Sequence, residues 1–230
     1  MTNTLITGAA KGLGLAAARQ LAAAGHTVYV AARDLDRARA VAASIGGRPV
    51  RLDVTSDDSV AAAVAAVAAE ANHLDVLVNN AGITTPTPPA DVTADDLEHV
   101  YATNVFGPVR VLQAFLPLLR ASADPLVLNV SSTLGSLRRT TDPTAFESRF
   151  PTPVYASSKA ALNMLTSQLA VALRGVRVIA VSPGYTATDL NGHRGTESPD
   201  DGVRAVVAAV TGRISVPTGA FADATGVIPW

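Results

Sequence analysis

Cysteine is absent from the 230 residues. No disulfide, thiolate metal ligand or thiol nucleophile can therefore form, and the absence is compatible with a reducing compartment. Histidine is scarce. His26, His73, His99 and His193 are the only four, and no two stand at metal-ligand spacing on one helical face, which argues against a metal site. Aromatic residues make up only 4% of the chain. Excess charge of either sign is lacking: 18 basic against 19 acidic residues leave a formal charge of -1. Such a chain has no long-range field to attract nucleic acid or an acidic membrane. No uncharged apolar run reaches the length of about 18 residues that a membrane span needs. The opening residues, "MTNTLITGAAKGLG", lack the basic start and apolar stretch of a signal peptide. The expectation is a cytoplasmic protein with no metal and no nucleic-acid or membrane partner.

What is abundant is small apolar residues. The chain is 48% hydrophobic, with alanine, valine and leucine in place of aromatics, which suits helices packed closely on a sheet. Short β-branched runs alternate with longer alanine-rich stretches. Strands are expected near Thr4–Thr7, Thr27–Ala31, Pro49–Asp53, Val76–Asn79, Leu126–Val130, Arg177–Val181 and Gly219–Ala222. Helices are expected near Leu13–Ala24, Leu35–Ile45, Ser59–Ala71, Ala94–Tyr101, Val105–Arg120, Val154–Leu173 and Asp200–Val210. Thr55 or Ser56 can cap the third helix, and Gly25 and Gly46 fall at helix ends. This alternation implies one α/β domain over residues 1–230, a parallel sheet of about seven strands with helices on both faces. The stretch 136–152, "SLRRTTDPTAFESRFPT", fits none of these patterns and is expected to be an irregular lid or insertion loop.

Two short stretches point to chemistry. After the first strand comes Thr7-Gly8-Ala9-Ala10-Lys11-Gly12-Leu13-Gly14, then a helix. Glycines there let the backbone turn and approach a pyrophosphate at the helix N-terminus, the signature of a doubly wound dinucleotide-binding fold of Rossmann type. "GLGLAA" also fits the shorter glycine fingerprint, but starts late after the strand. The second stretch, "PVYASSKAAL", sets Tyr155 and Lys159 one helical turn apart on one face.

Together with "LDV" at Leu52, "NNAG" at Asn79, "NVFG" at Asn104, "NVSS" at Asn129 and "SPGYTATD" at Ser182, these stretches follow each other in the order found in short-chain dehydrogenases/reductases. The chain resembles that family over nearly its whole length, and its end, "PTGAFADATGVIPW", resembles the carbonyl-reductase-like branch. The resemblance implies a reductase of ketones or aldehydes, or equally a secondary-alcohol dehydrogenase. Tyr155 would be the acid/base, its pKa lowered by Lys159, and Ser132 an oxyanion donor. Asn104 would hold a water that links the lysine to solvent, although it could also cap a helix. Ser131 is the competing serine.

For the cofactor, the resemblance implies contacts from Thr7, Gly8, Lys11, Gly12, Leu13 and Gly14, from Asp53 and Val54, and from Asn80, Ala81 and Gly82. Further contacts are implied from Tyr155 and Lys159 and from Pro183, Gly184, Thr186 and Thr188. Ala32 stands where an acid would select NAD, and Arg33 follows it, so NADP(H) is favoured over NAD(H), with Lys11 a second cation near the phosphate. Asp34 is the competing ribose ligand, and Asp53 could instead serve as a helix-entry cap. A substrate pocket would be lined by Thr133, Leu134, Phe146, Phe150, Val154, Tyr185 and Leu190. The spacing from Ser132 to Tyr155 exceeds that of most family members and suggests a monomer or homodimer rather than a tetramer. A cofactor-binding regulator of the same fold, or an epimerase acting through a transient ketone, is the alternative.

Overall fold

The computed structural model describes residues Met1–Trp230. Eight strands, β1 (Asn3–Thr7), β2 (Thr27–Ala32), β3 (Arg48–Arg51), β4 (Val76–Asn79), β5 (Leu126–Val130), β6 (Arg177–Val181), β7 (Phe221–Asp223) and β8 (Gly226–Val227), form one sheet. Their order is β3-β2-β1-β4-β5-β6-β7-β8. All neighbours pair in parallel except β7 with β8. Strand order reverses between β1 and β4, which opens a crevice at their C-terminal ends.

The long helices are α1 (Gly12–Ala23), α2 (Leu35–Ile45), α3 (Asp57–Glu70), α4 (Ala94–Tyr101), α5 (Gly107–Arg120), and, after the short α6 (Leu137–Thr141), α7 (Pro153–Ala172). Alternation along the strands sorts side chains to two faces. Ile6, Val78, Leu128 and Ile179 pack with α1, α2 and the C-terminal α9 (Arg204–Val210). Leu5, Leu77, Val127 and Val178 pack with α3, α5 and the end of α7. Ordinary chemistry starts most of these helices. Asp34 caps α2, Ser56 caps α3, and Thr93 forms a reciprocal capping box with Asp96 on α4. Gly46 closes α2 in the left-handed conformation, and Gly25 follows the C-cap of α1 with φ 89°.

The structure departs from the expected elements in four places. No break separates the fourth and fifth helices: a π-helical turn, Ala102–Phe106, joins α4 to α5, so Asn104 lies inside a continuous helix and is not an N-cap. The expected helix at 200–210 divides into α8 (Pro199–Gly202) and α9, where Gly202 is pressed against Thr186. An eighth strand turns back on β7 through a tight turn in which Asp223 Oδ1 accepts from the Thr225 amide and hydroxyl, at 2.7 and 2.6 Å. Two residues carry no periodicity, so sequence reading cannot find it. The segment 136–152 is not wholly irregular. It contains α6 and a 3₁₀ turn at Phe146–Arg149. No helix is long and apolar enough to cross a membrane.

Phe115 of α5 is completely buried at the centre of the second face. Phe115→Ala should lower unfolding free energy by about 3–5 kcal/mol in urea titrations. A loss below about 1 kcal/mol would mean that this face does not hold the sheet.

Candidate active site

The glycine loop leaves β1 at the strand-order reversal. Gly8 and Gly12 both adopt positive φ, 66° and 53°. At Gly14 a Cβ would lie 2.5 Å from Asn80 Nδ2 and collide with the Gly8 carbonyl, so only glycine lets α1 start this close to the loop. Asn80 holds the loop from the other side, Nδ2 donating to the carbonyls of Thr7 at 2.8 Å and Gly8 at 3.3 Å. The Thr7 hydroxyl accepts from the Asn80 and Ala81 amides. Among α1 to α4, α1 alone has no side-chain cap; its N-cap residue is Lys11. Its first backbone N–H groups are therefore donors without a side-chain acceptor, aimed from a helix end that favours anions. A dinucleotide pyrophosphate fits this cradle.

Beside it, Arg33 and Asp53 line a cleft of about 410 Å³ with Arg51, Ser56, Asp58, Ser59 and Ala62. The β2–β3 register sets Ala32 against Arg51, which brings the second arginine alongside Arg33. The hydrogen bonds of Thr55 to Asp53 and the nearby Arg33 and Arg110 guanidinium groups outweigh partial burial and hold the Asp53 carboxyl below its usual range. Asp53 does shape the entry to α3, because its Oδ1 accepts from the Thr55 amide and hydroxyl, but Ser56 is the cap. The Val54 carbonyl accepts from Arg110 Nη1 at 2.9 Å. Asp34 is occupied as the α2 cap, accepting from the Asp36 and Arg37 amides. Lys11 turns away from this cleft and pairs with Asp189 at 2.7 Å. That contact, and Thr188 Cγ2 lying 3.6 Å from where a Gly12 Cβ would stand, draw the loop after β6 over the glycine loop. Pro183 and Gly184 begin that loop. The Thr186 hydroxyl is committed to the Pro183 carbonyl, and the Thr188 amide donates to Asn191.

At the end of β5 the structure separates the two serines. Ser131 is buried and its hydroxyl donates to Asn163 Oδ1 at 2.6 Å. Ser132 lies at the crevice with its hydroxyl near the Tyr155 phenol, its Oγ accepting from the Leu134 amide at 3.2 Å. Lys159, 4% exposed, donates to the Val130 carbonyl at 2.8 Å. Its ammonium lies 5.6 Å from the centre of the Tyr155 ring. Asn104 is buried beside it: Oδ1 accepts from the Ile83 amide, and Nδ2 donates to the Ile83 carbonyl and to Ser158 Oγ. Gly82 lies against both groups; a Cβ there would be 3.5 Å from Asn104 Oδ1 and 3.7 Å from Lys159 Nζ.

Burial pushes the Tyr155 phenol up to about 12, opposed by the nearby Ser132 hydroxyl, and pulls the Lys159 ammonium down to about 8. The phenol thus lies above its ordinary value, where a lowered one was expected. The ammonium is directed at a backbone carbonyl, and desolvation dominates both groups.

Sequence reading missed the polar layer that seats α7. Asn79 donates to Asn129, its cross-strand partner, Asn129 to Thr166, and Thr166 to the Leu162 carbonyl. The asparagines at neighbouring strand ends were visible in "VNN" and "LNV". Only the β4–β5 register shows that they touch.

Of the expected pocket residues, Phe146, Phe150 and Tyr185 meet. The two phenylalanine rings are 4.6 Å apart, and lie 5.8 and 6.0 Å from Tyr185. Thr133 and Leu134 open the 3₁₀ turn directly after Ser132, and Leu190 is exposed on the loop after β6. Val154 is 1% exposed and packs inward, so it does not line an open pocket.

Lys159 supplies a test of the buried charge. Its folded pKa lies below its ordinary value of 10.5. Below about pH 8 the charge is carried in both states and its burial opposes folding. Between about 8 and 10.5 the folded state sheds the proton first. Wild type should therefore gain stability over Lys159→Met across that interval, by at most about 3 kcal/mol in denaturant titrations. A flat or falling difference would contradict the burial.

The family model for short-chain dehydrogenases matches residues 2–199. A short-chain dehydrogenase named anuI from Penicillium roqueforti is 37% identical over 90% of this chain and 87% of its own. A galactitol 2-dehydrogenase from Agrobacterium fabrum is 37% identical over 78% of this chain and 68% of its own. Among solved structures, an NADPH-bound carbonyl reductase from chicken fatty liver shares 30% identity at a TM-score of 0.89, covering 100% of this chain and 99% of that one. The glycine cradle, the Tyr155–Lys159 turn and these matches agree that the chain belongs to the short-chain dehydrogenase/reductase family of oxidoreductases.

Proposed function

We propose that the protein catalyses reversible reduction of a ketone or aldehyde to an alcohol with NADP(H), Tyr155 serving as acid and base. The observation that carries this reading is the buried Lys159 ammonium 5.6 Å from the centre of the Tyr155 ring, one helical turn along α7, with the Ser132 hydroxyl near the phenol. A nicotinamide cofactor held in the crevice supplies or accepts the hydride. Ser132 and Tyr155 then offer two O–H donors to one carbonyl oxygen, where negative charge grows during reduction. A phenol held at about 12 is protonated at neutral pH, which is the form reduction consumes. As the proton leaves, the nearby ammonium of Lys159 stabilises the phenolate. With its pKa near 8, Lys159 is also suited to return a proton near neutrality. Asn104 fixes the Ile83 segment against this pair through both faces of its amide. What its Oδ1 has left for a water is one lone pair. A regulator without turnover has no need of this arrangement.

Thr7, Gly8, Gly12, Leu13, Gly14, Asn80, Ala81 and Gly82 would hold the dinucleotide along the cradle. Asp53 and Val54 would take its adenine end, and Pro183, Gly184, Thr186 and Thr188 its nicotinamide end. The preference for NADPH rests on three features: Ala32 places no carboxylate in the cleft, Asp34 is spent as a cap, and Arg33 stands beside Arg51. The NADPH-bound relative supports it. Lys11 would have to exchange Asp189 for a phosphate. Exposed Leu97, Phe106, Met164 and Val171 on the α4–α5 and α7 helices favour a homodimer over a monomer.

Tyr155→Phe should lower kcat/KM for carbonyl reduction by about 100-fold or more, with NADPH affinity within about twofold of wild type by fluorescence titration. A near-normal rate would remove Tyr155 from the mechanism. Arg33→Ala should weaken NADPH by about tenfold or more, as expected for a lost charge-assisted phosphate contact, and leave NADH nearly unchanged. Equal weakening of both would assign Arg33 to something other than the phosphate.

A further inference from the structure

Only two charged side chains in the protein are buried, Lys159 and Glu147. The chemistry above uses Lys159 and has no part for Glu147, which is 7% exposed in the 3₁₀ turn of the segment before α7. Its carboxylate accepts from Arg139 Nη1 at 3.2 Å and has the Thr133 hydroxyl beside it. Arg139, in α6, also reaches Asp223 Oδ2 of β7 at 3.7 Å. The chain's end reinforces the same anchorage. Ser136 Oγ donates to the Pro229 carbonyl at 2.6 Å, the Arg138 amide donates to the Trp230 carbonyl at 3.1 Å, and Trp230 stacks on Phe221 of β7.

The positions of these partners give the contact a meaning. Thr133 directly follows Ser132. Phe146 directly precedes Glu147. While the Glu147 carboxylate turns inward, the Phe146 ring turns outward, 51% exposed, and meets Phe150, 37% exposed, and Tyr185. The chain has only ten aromatic residues (five Phe, four Tyr, one Trp), and three of them form this solvent-facing cluster. They come from two segments that leave the C-terminal ends of β5 and β6, the end of the sheet where Ser132 and Tyr155 meet. Exposed rings at such a place lower their free energy by covering an apolar ligand. The Arg139 guanidinium can only donate, so the carboxylate beneath the rings supplies both an acceptor and the opposite charge. A carboxamide would keep the acceptor but lose the charge that strengthens the contact.

We propose that Glu147 is a positioning residue that ties the ring cluster Phe146, Phe150 and Tyr185 to the Ser132 strand end, making the site selective for carbonyl compounds that carry an apolar ring beside the reacting carbon. This rests on the carbonyl-reductase reading above.

The test compares diacetyl with its phenyl analogue, in which one methyl is replaced by phenyl, using NADPH and three proteins: wild type, Glu147→Gln and Phe146→Leu. The phenyl compound should lose about tenfold in kcat/KM relative to diacetyl in both variants, through KM. Phe146 is exposed, so its variant remains informative if Glu147→Gln folds poorly. Ligand-observed NMR titration of the phenyl compound, which needs no turnover, should show the same tenfold weakening. If wild type reduces neither compound, the carbonyl-reductase reading falls, and the titration still decides the role of Glu147. An unchanged preference and affinity in Glu147→Gln, or an equal loss for both compounds, would overturn the proposal.

Discussion

The arrangement of the crevice follows from one costly placement, an ammonium group buried at the end of β5. A charge removed from water must be met by oriented dipoles. For Lys159 that acceptor is the Val130 carbonyl, at the last residue of the strand. Reaching it requires α7 to lie close against the turn that follows β5. Gly135 permits this: a Cβ there would stand 2.7 Å from the Lys159 carbonyl carbon. The same approach sets Tyr155, one turn earlier on α7, beside Ser132. The position of the phenol is thus a consequence of how the lysine is satisfied.

A helix that buries Ser158, Asn163 and Thr166 along with Lys159 cannot be seated by apolar contact alone. The strand ends answer with Asn79, Asn129 and Ser131, and the helix with Thr166 and Asn163, in two short hydrogen-bonded chains. Directional contacts of this kind tolerate little sliding, so they fix the register of α7 on the sheet. Asn104 does the same from the α4–α5 helix, where the π turn widens the backbone and turns its amide toward Ile83 and Ser158. Away from the strand ends the two sheet faces are aliphatic, and packing there needs only the right volume.

The segment between β5 and α7 obeys a different logic. It is anchored by charge and by the end of the chain, not by a core. Arg139 gathers Glu147 and Asp223, while Pro229 and Trp230 accept from Ser136 and Arg138. Asp223, Pro229 and Trp230 lie far along the chain from the residues they hold. This explains why the stretch reads as irregular although it contains a helix and a 3₁₀ turn. The elements are short, and what stabilises them lies up to 93 positions away.

Local chemistry made much of the protein legible from its residues. The alternation of β-branched and alanine-rich runs defined seven of the strands and the long helices, because period and capping are local properties. The glycine loop and the Tyr155–Lys159 spacing marked the site, since both express backbone geometry within a few residues. Other features depend on distant contacts. They include the burial of Ser131 against Asn163, the meeting of Asn79 with Asn129, and the pairing of Lys11 with Asp189 instead of with the Arg33 cleft. They also include the elevation of Tyr155 despite its lysine. Each depends on strand register, on which way a helix faces, or on how much water is excluded. These are set only when distant segments pack, and the tertiary structure alone decides them.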